Sequence, residues 1–322
     1  MPQRKSSTSP CIARELIRAG FEMKSDIQRP SSSRPAPAPP GAGRRAWGFV
    51  FLALALIWGA IGSLRAAAAE GSTPPTPVTR AAAPALPASV DLRPVFEERG
   101  LARRTQGQRG TCSVFVVAGA LEFAAARQQR HAECFSVEFL NWGANRIDGK
   151  NKDGGFFTDL WRAFAAYGIC SETAMPYRAS FDPALVPTPQ ALTEAKARLA
   201  LGLQHHWIKE WNVKTGLTQE QLLAIKRTLS QGWPVCAGLR WPRKPVWSDD
   251  VLQMCPAEAV YDGHSVLLVG YRDAPKQLGG GRLLFRNTGD GGRDAFMPYT
   301  YARSYLNDAV WIDFPPADKP GL

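Results

Sequence analysis

The chain has 322 residues, a formal net charge of +11 and 45% hydrophobic residues, a composition with room for one large globular domain or two ordinary ones. The charge is uneven, because residues 1–69 carry ten Lys or Arg against three Asp or Glu, so most of the excess lies ahead of the part that can fold. No basic stripe interleaved with aromatics occurs later in the chain, which argues against a nucleic-acid partner.

Residues 1–45 are basic and proline-rich, and "SSSRPAPAPPGAG" (31–43) has too little apolar surface to build a core. From Ala46 to Leu64 run nineteen residues without a charge, long enough to cross a bilayer as a helix. Ala67, Ala68 and Ala69 before Glu70 suit a signal-peptidase site, so 46–69 reads as a signal peptide, with a retained inner-membrane anchor through 46–64 as the alternative. A start at Met23 would shorten the lead. Either reading exports the remainder of the chain, to the periplasm or beyond. Residues 70–85 read as a linker, 86–316 as one domain and 317–322 as a tail.

Within the domain, helical patterns come first. "CSVFVVAGALEFAAARQQR" from Cys112 is apolar nearly all round at its start, as a buried helix is. Residues 136–147 form a second candidate, and 158–168 a third that opens on Thr158 and closes on Gly168. Thr218 and Gln221 are spaced as a capping box for a helix that stops at Gly232. Strand patterns then take over at 234–239, 264–271, 281–287 and 309–314, with a Trp- and Pro-rich loop at 241–262. Helices first and strands later predict an α+β domain of two lobes with a cleft between them.

The domain carries five cysteines, Cys112, Cys134, Cys170, Cys236 and Cys255, an odd number that predicts two disulfides and one free thiol in an oxidising compartment. By default Cys112 is a small buried sulfur at a helix start. Of the four histidines, His131 lacks a second pair of metal ligands, and His205 and His206 sit between apparent helical stretches without a ligand at metal spacing. His264 is different: it stands at the mouth of an apolar strand after Asp262-Gly263, 152 residues beyond Cys112 and 23 before Asn287. Cysteine, histidine and asparagine in that order can serve as nucleophile, base and orienting group.

The motifs around these residues resemble the papain-like cysteine peptidases, in their bacterial forms. Gln106, Gly107, Gly110, Thr111 and Cys112 match the family's Gln-Gly-x-x-Gly-Ser-Cys loop with Thr for Ser, and "LPASVDLRP" resembles the start of its mature enzyme. "DGGFFTDLWRAFAAYG", "GHSVLLVGY" and "LLFRNT" resemble its Gly-Gly stretch and the segments that hold its histidine and asparagine. The resemblance implies a two-lobed fold, a helical N-terminal lobe and a β-barrel-like C-terminal lobe, that hydrolyses peptide or protein substrates without a metal or cofactor. It implies Cys112 as nucleophile, His264 as base, Asn287 as its orienting partner, the Cys112 N–H and Gln106 amide as oxyanion donors, and Gly154 and Gly155 along the substrate groove. A catalytically inactive peptide-binding module and a cell-wall amidase are the rival readings.

The departures are specific. Ser113 replaces the tryptophan that usually follows the nucleophile, and "NTGDGG" lacks the tryptophan that usually shields the His–Asn bond, which predicts a weaker bond. Arg109 stands where many members place a disulfide cysteine. With Cys112 taken as the free thiol, Cys236–Cys255, flanking the loop before His264, and Cys134–Cys170, within the helical lobe, are the expected bridges.

Overall fold

A computed structural model describes residues 85–289 and 291–315. The expected signal or anchor at 46–69, the basic lead 1–45, nearly all of the linker and the tail lie outside the described residues. Among the described residues no helix is long and apolar enough to cross a membrane.

The order of elements is β1 (Ser89–Asp91), α1 (Arg93–Glu98), α2 (Cys112–Gln129), α3 (Val137–Asp148), α4 (Phe157–Tyr167), α5 (Pro189–Ala197), β2 (Gln204–Lys209) and α6 (Gln219–Ser230). Then come β3 (Val235–Pro242), β4 (Trp247–Ser248), β5 (Val251–Leu252), β6 (Val260–Asp273), β7 (Gly281–Arg286), β8 (Asp294–Pro298), α7 (Tyr299–Tyr305) and β9 (Leu306–Asp313). The expected α+β arrangement is present, with α2, α3 and α4 ahead of the sheet. The expected β-barrel-like half is an open sheet in the order β2-β9-β3-β6-β7-β8-β5-β4, with β1 added beside β6.

Helix α2 explains its own composition. It lies between the other helices and the sheet, so Val114, Val116, Val117, Ala118 and Leu121 are all buried and no polar face is needed. Its seat on the sheet is close: a Cβ on Gly119 would sit 3.6 Å from Leu267 of β6, and Cys236 of β3 donates its thiol to the Val116 carbonyl at 3.6 Å. Burial of each such aliphatic side chain contributes roughly 1.5–3 kcal/mol, so this contact fixes one half of the domain on the other.

Three local expectations change. Helix α4 begins at Phe157, one residue ahead of Thr158, and its N-cap is Phe156 with no side-chain cap, because burial of Phe157 draws the first turn inward. His205 and His206 do lie between helices, α5 and α6, but on the strand β2: the His205 ring stacks on Trp161 at 4.4 Å and the His206 ring on Trp311 at 4.5 Å. The 241–262 stretch holds the end of β3, both short strands and the start of β6. The Thr218–Gln221 capping box is present as expected.

The disulfide expectation is overturned. Cys170, Cys236 and Cys255 are free thiols, whereas Cys134 is disulfide-bonded. The bridge Phe135↔Ser171 sets Cys134 opposite Glu172 and Cys170 opposite Ser136, so the two cysteines are only diagonal neighbours. Such neighbours are about 7–8 Å apart, beyond the reach of an unstrained disulfide. Cys170 points instead into a small cluster with Phe139, Met175 and Ala191. Cys236 is fully buried with its thiol on the Val116 carbonyl of α2, whereas Cys255 is only half-buried.

Candidate active site

The nucleophile candidate owes its position to a helix start left without a side-chain cap. Thr111 is the N-cap of α2, but its hydroxyl is spent on the Tyr177 hydroxyl at 2.6 Å. The first-turn N–H groups of α2 are therefore left to other acceptors. Cys112, 6% exposed, approaches the Gly263 carbonyl at 3.7 Å through Sγ. Burial pushes its thiol up from the ordinary value, while hydrogen bonds from Ser265 and the Ser113 N–H pull against that.

Gly263, His264 and Ser265 enter on β6, paired with β3 so that His264 lies opposite Leu239. His264 Nε2 is 2.9 Å from Asn287 Oδ1, and the same Oδ1 accepts the Gly289 N–H at 3.1 Å. An amide N–H can only donate, so the second contact identifies this Asn287 atom as the acceptor. The histidine contact is then a donation from Nε2–H, which leaves the ring's lone pair on Nδ1.

The bond is well shielded. Asn287 is buried, and the Trp241 ring packs on His264 with centroids 4.4 Å apart. The expected weakening for want of a tryptophan near Asn287 is thus offset from another strand. Trp241 was missed because the sequence pattern ends β3 at Leu239 and gives Trp241 to a loop.

Cys112, His264, Gly154 and Gly155 line one cavity of about 250 Å³. Asn287 stands behind His264, and Gln106 is outside the lining. Gln106 Nε2 donates to the Arg109 carbonyl at 2.7 Å and Oε1 accepts from Thr288 at 2.8 Å, so it ties the nucleophile loop to the segment after Asn287. A second cavity of about 340 Å³, lined by Asn141, Trp142 and Phe181 among others, contains neither Cys112 nor His264.

The glycine pair has two separate explanations. Gly154 has φ +76°, and a Cβ there would approach the Gly110 carbonyl at 2.6 Å, so the nucleophile loop itself demands glycine. Gly155 is under no such pressure; its nearest neighbours to a Cβ would be Ala144 and Leu160 at 3.8 Å. Its N–H donates to Ser113 Oγ at 3.2 Å, which gives the unusual Ser113 a task in joining the two loops.

Arg109 carries no loose charge. Its guanidinium, 4% exposed, bonds Glu138 at 2.6 Å, Asp153 at 2.7 Å and the Arg178 carbonyl at 2.9 Å. It also lies over the Tyr177 ring at 4.6 Å. An ionic crosslink thus joins the nucleophile loop to α3 and to the Gly154 loop. Among the described residues no group of three or more His, Cys, Asp or Glu could hold a metal ion.

No protein-family model and no curated protein matches the chain. Solved structures do match. Xylellain, a cysteine protease from Xylella fastidiosa, superposes with a TM-score of 0.56 at 21% identity over 72% of this chain and 88% of that one. The Amb a 11 cysteine protease, a ragweed pollen allergen in its proform, gives 0.53 at 18% identity over 74% and 69%.

The fold is papain-like. Sequence reading missed Trp211 and Asp308, which line the Cys112 cavity, and Trp241, which packs on His264. Asp308 belongs to an apolar strand, "NDAVWID", where only its register against β3 reveals that it faces the cavity.

Proposed function

We propose that the protein is an exported thiol-dependent peptidase that forms an acyl-enzyme on Cys112. The observation that carries the reading is the buried His264–Asn287 hydrogen bond behind the cavity that Cys112 lines. With Nε2–H given to Asn287, His264 takes the Cys112 proton on Nδ1 as the sulfur attacks the substrate carbonyl. The tetrahedral oxyanion is met by the Cys112 N–H and the second hydrogen of the Gln106 amide. Collapse breaks the C–N bond, His264 returns the proton to the leaving amine, and a thioester remains. Water, deprotonated by His264, then attacks the thioester and releases the acid and the thiol.

The test is Cys112→Ala. Peptide hydrolysis should fall by at least about 10³-fold while the melting temperature stays within a few degrees. Hydrolysis at the wild-type rate would sink the proposal. That Cys112 is only 6% exposed also favours a second reading, a peptide-binding module without turnover. In that case wild type and Cys112→Ala bind peptides alike and neither cleaves them.

A further inference from the structure

We infer that the hydroxyl of Ser265 is a further catalytic donor, one that holds the Cys112 sulfur as an anion while it attacks. The inference rests on the peptidase reading for the reaction it serves, and it deepens that reading by naming a side chain that supports the nucleophile.

The sulfur occupies a place on β6 that a strand would otherwise fill. In sheet order β6 lies between β3 and β7, yet β7 pairs with it only from Leu267 onward. Residues two apart on a strand turn their N–H and C=O groups to the same edge, so Gly263 and Ser265 face one way and His264 the other. Cys112 Sγ meets that edge. It donates to the Gly263 carbonyl at 3.7 Å and accepts from the Ser265 N–H. The thiol thus takes both roles of a ladder partner, on the two residues that flank His264. Ser265 also donates to the sulfur through its side chain, is 7% exposed, and lines the cavity with Cys112 and His264.

Ionisation unbalances this arrangement. When His264 takes the proton on Nδ1, the sulfur keeps the bonding pair and can only accept, so the Gly263 carbonyl oxygen is left facing a negative charge. Burial already disfavours the anion. The N–H groups of Ser113 and Ser265 are fixed by the helix and the strand, so the adjustable donor is a hydroxyl. Hydrogen bonds to an ionised acceptor are roughly twice as strong as neutral ones, and the gain falls on the charged state. Of the hydroxyls beside Cys112 in sequence, Thr111 is engaged with Tyr177 at 2.6 Å, and Ser113 Oγ takes the Gly155 N–H at 3.2 Å. The hydroxyl on the sulfur is that of Ser265. Among the described residues, the charged or titratable groups lining the cavity with Cys112 are Asp148, Lys150, Lys152 and Asp153 from the end of α3 and the loop after it, His264 from β6 and Asp308 from β9. A substitution at Ser265 removes none of them, so a change in the titration of Cys112 reads the hydroxyl.

Iodoacetamide labelling of Cys112, followed by mass spectrometry of its peptide from about pH 5 to 10, separates formation of the anion from access to it. In Ser265→Ala the midpoint should rise by about one to two pH units, the 10–100-fold worth of a hydrogen bond to a charged group. The plateau rate at high pH should stay within about threefold, because access is unchanged. Ser265→Thr keeps the hydroxyl and should keep the wild-type midpoint. For peptide hydrolysis, kcat of Ser265→Ala should fall by about 10–100-fold with KM within about threefold. An unchanged midpoint in Ser265→Ala overturns the inference. So does an equal rise in Ser265→Ala and Ser265→Thr, since the effect then comes from packing and not from the hydroxyl. A wild type that hydrolyses no peptide, yet shows the Ser265→Ala rise with rescue by Thr, would refute the peptidase reading and leave the donor in place.

Discussion

Arg109 uses every donor it has. Nε and both terminal nitrogens reach Asp153, Glu138 and the Arg178 carbonyl, and Glu138 is itself buried. Truncating the cation leaves Glu138 charged, buried and unpaired, the arrangement that costs most. Arg109→Met should therefore lower the unfolding free energy by roughly 3–5 kcal/mol in urea denaturation. Arg109→Lys should fall between, because an ammonium cannot match two carboxylates with a planar fork. A loss under about 1 kcal/mol for Arg109→Met would show the network to be ornamental. The position was legible in the sequence as a departure, but its partners were not. Glu138 and Asp153 lie 29 and 44 residues away with no pattern linking them to Arg109. The same contrast holds for His264 and Asn287, which the order of motifs brought together, and Trp241, which only the packed strand does.

Helix α2, the capping box of α6 and the strands around His264 were readable because apolar periodicity and cap chemistry are local signals. Helix α5 and β2 went unread. The first is short with only two buried residues, Ala191 and Ala195, and the second carries the adjacent histidines that break its alternation. The Gly168 stop was legible as a helix end, but its tertiary role was not. Gly168 closes α4 at φ +74°, and a Cβ there would overlap the Ala195 carbonyl at the end of α5. Gly202 has a similar φ of +61° with nothing near a would-be Cβ. Their ψ angles differ, −152° at Gly168 and 27° at Gly202, so Gly202 carries the left-handed cost alone and Gly168 a glycine-only backbone together with a packing clash. Gly202→Ala should cost about 1 kcal/mol for the left-handed conformation alone. Gly168→Ala should cost more than about 2 kcal/mol and lower the melting temperature by about 4–8 °C, since carbonyl and methyl cannot share one place. Equal losses for the two variants would mean that α4 and α5 can separate without penalty.

Stability as a function of pH sums over the whole chain, and here the carboxylates fall into two groups of opposite sign. Asp91 is held below its ordinary value, first by the Arg93 hydrogen bond. Glu194 is also held low, burial being outweighed by hydrogen bonds from Ser171 and Arg198. Such groups stabilise the fold above the unfolded value and lose their contribution only as the pH falls through the depressed one. Glu122 and Glu172 behave in the other sense. They share the single guanidinium of Arg104, at 2.7 and 2.8 Å, and burial raises both above the usual 4.5 despite it. A raised carboxyl keeps in the folded state a proton that the unfolded chain has released. Its contribution is thus complete below 4.5 and is lost as the pH rises through the folded value. Above pH 4.5 the second group therefore sets the slope, and the stability contributed by this cluster declines as the pH rises. Glu172→Gln removes one titrating member and keeps an oxygen to accept the Tyr177 N–H, a bond of 2.8 Å in the wild type. Urea midpoints measured from pH 4.5 to 7.5 should fall less steeply in the variant than in the wild type. The difference can reach about 1.4 kcal/mol for each pH unit over which one proton separates the two states. Parallel midpoint curves would mean that Glu172 titrates alike in the folded and unfolded chain, and that Arg104 neutralises both acids after all.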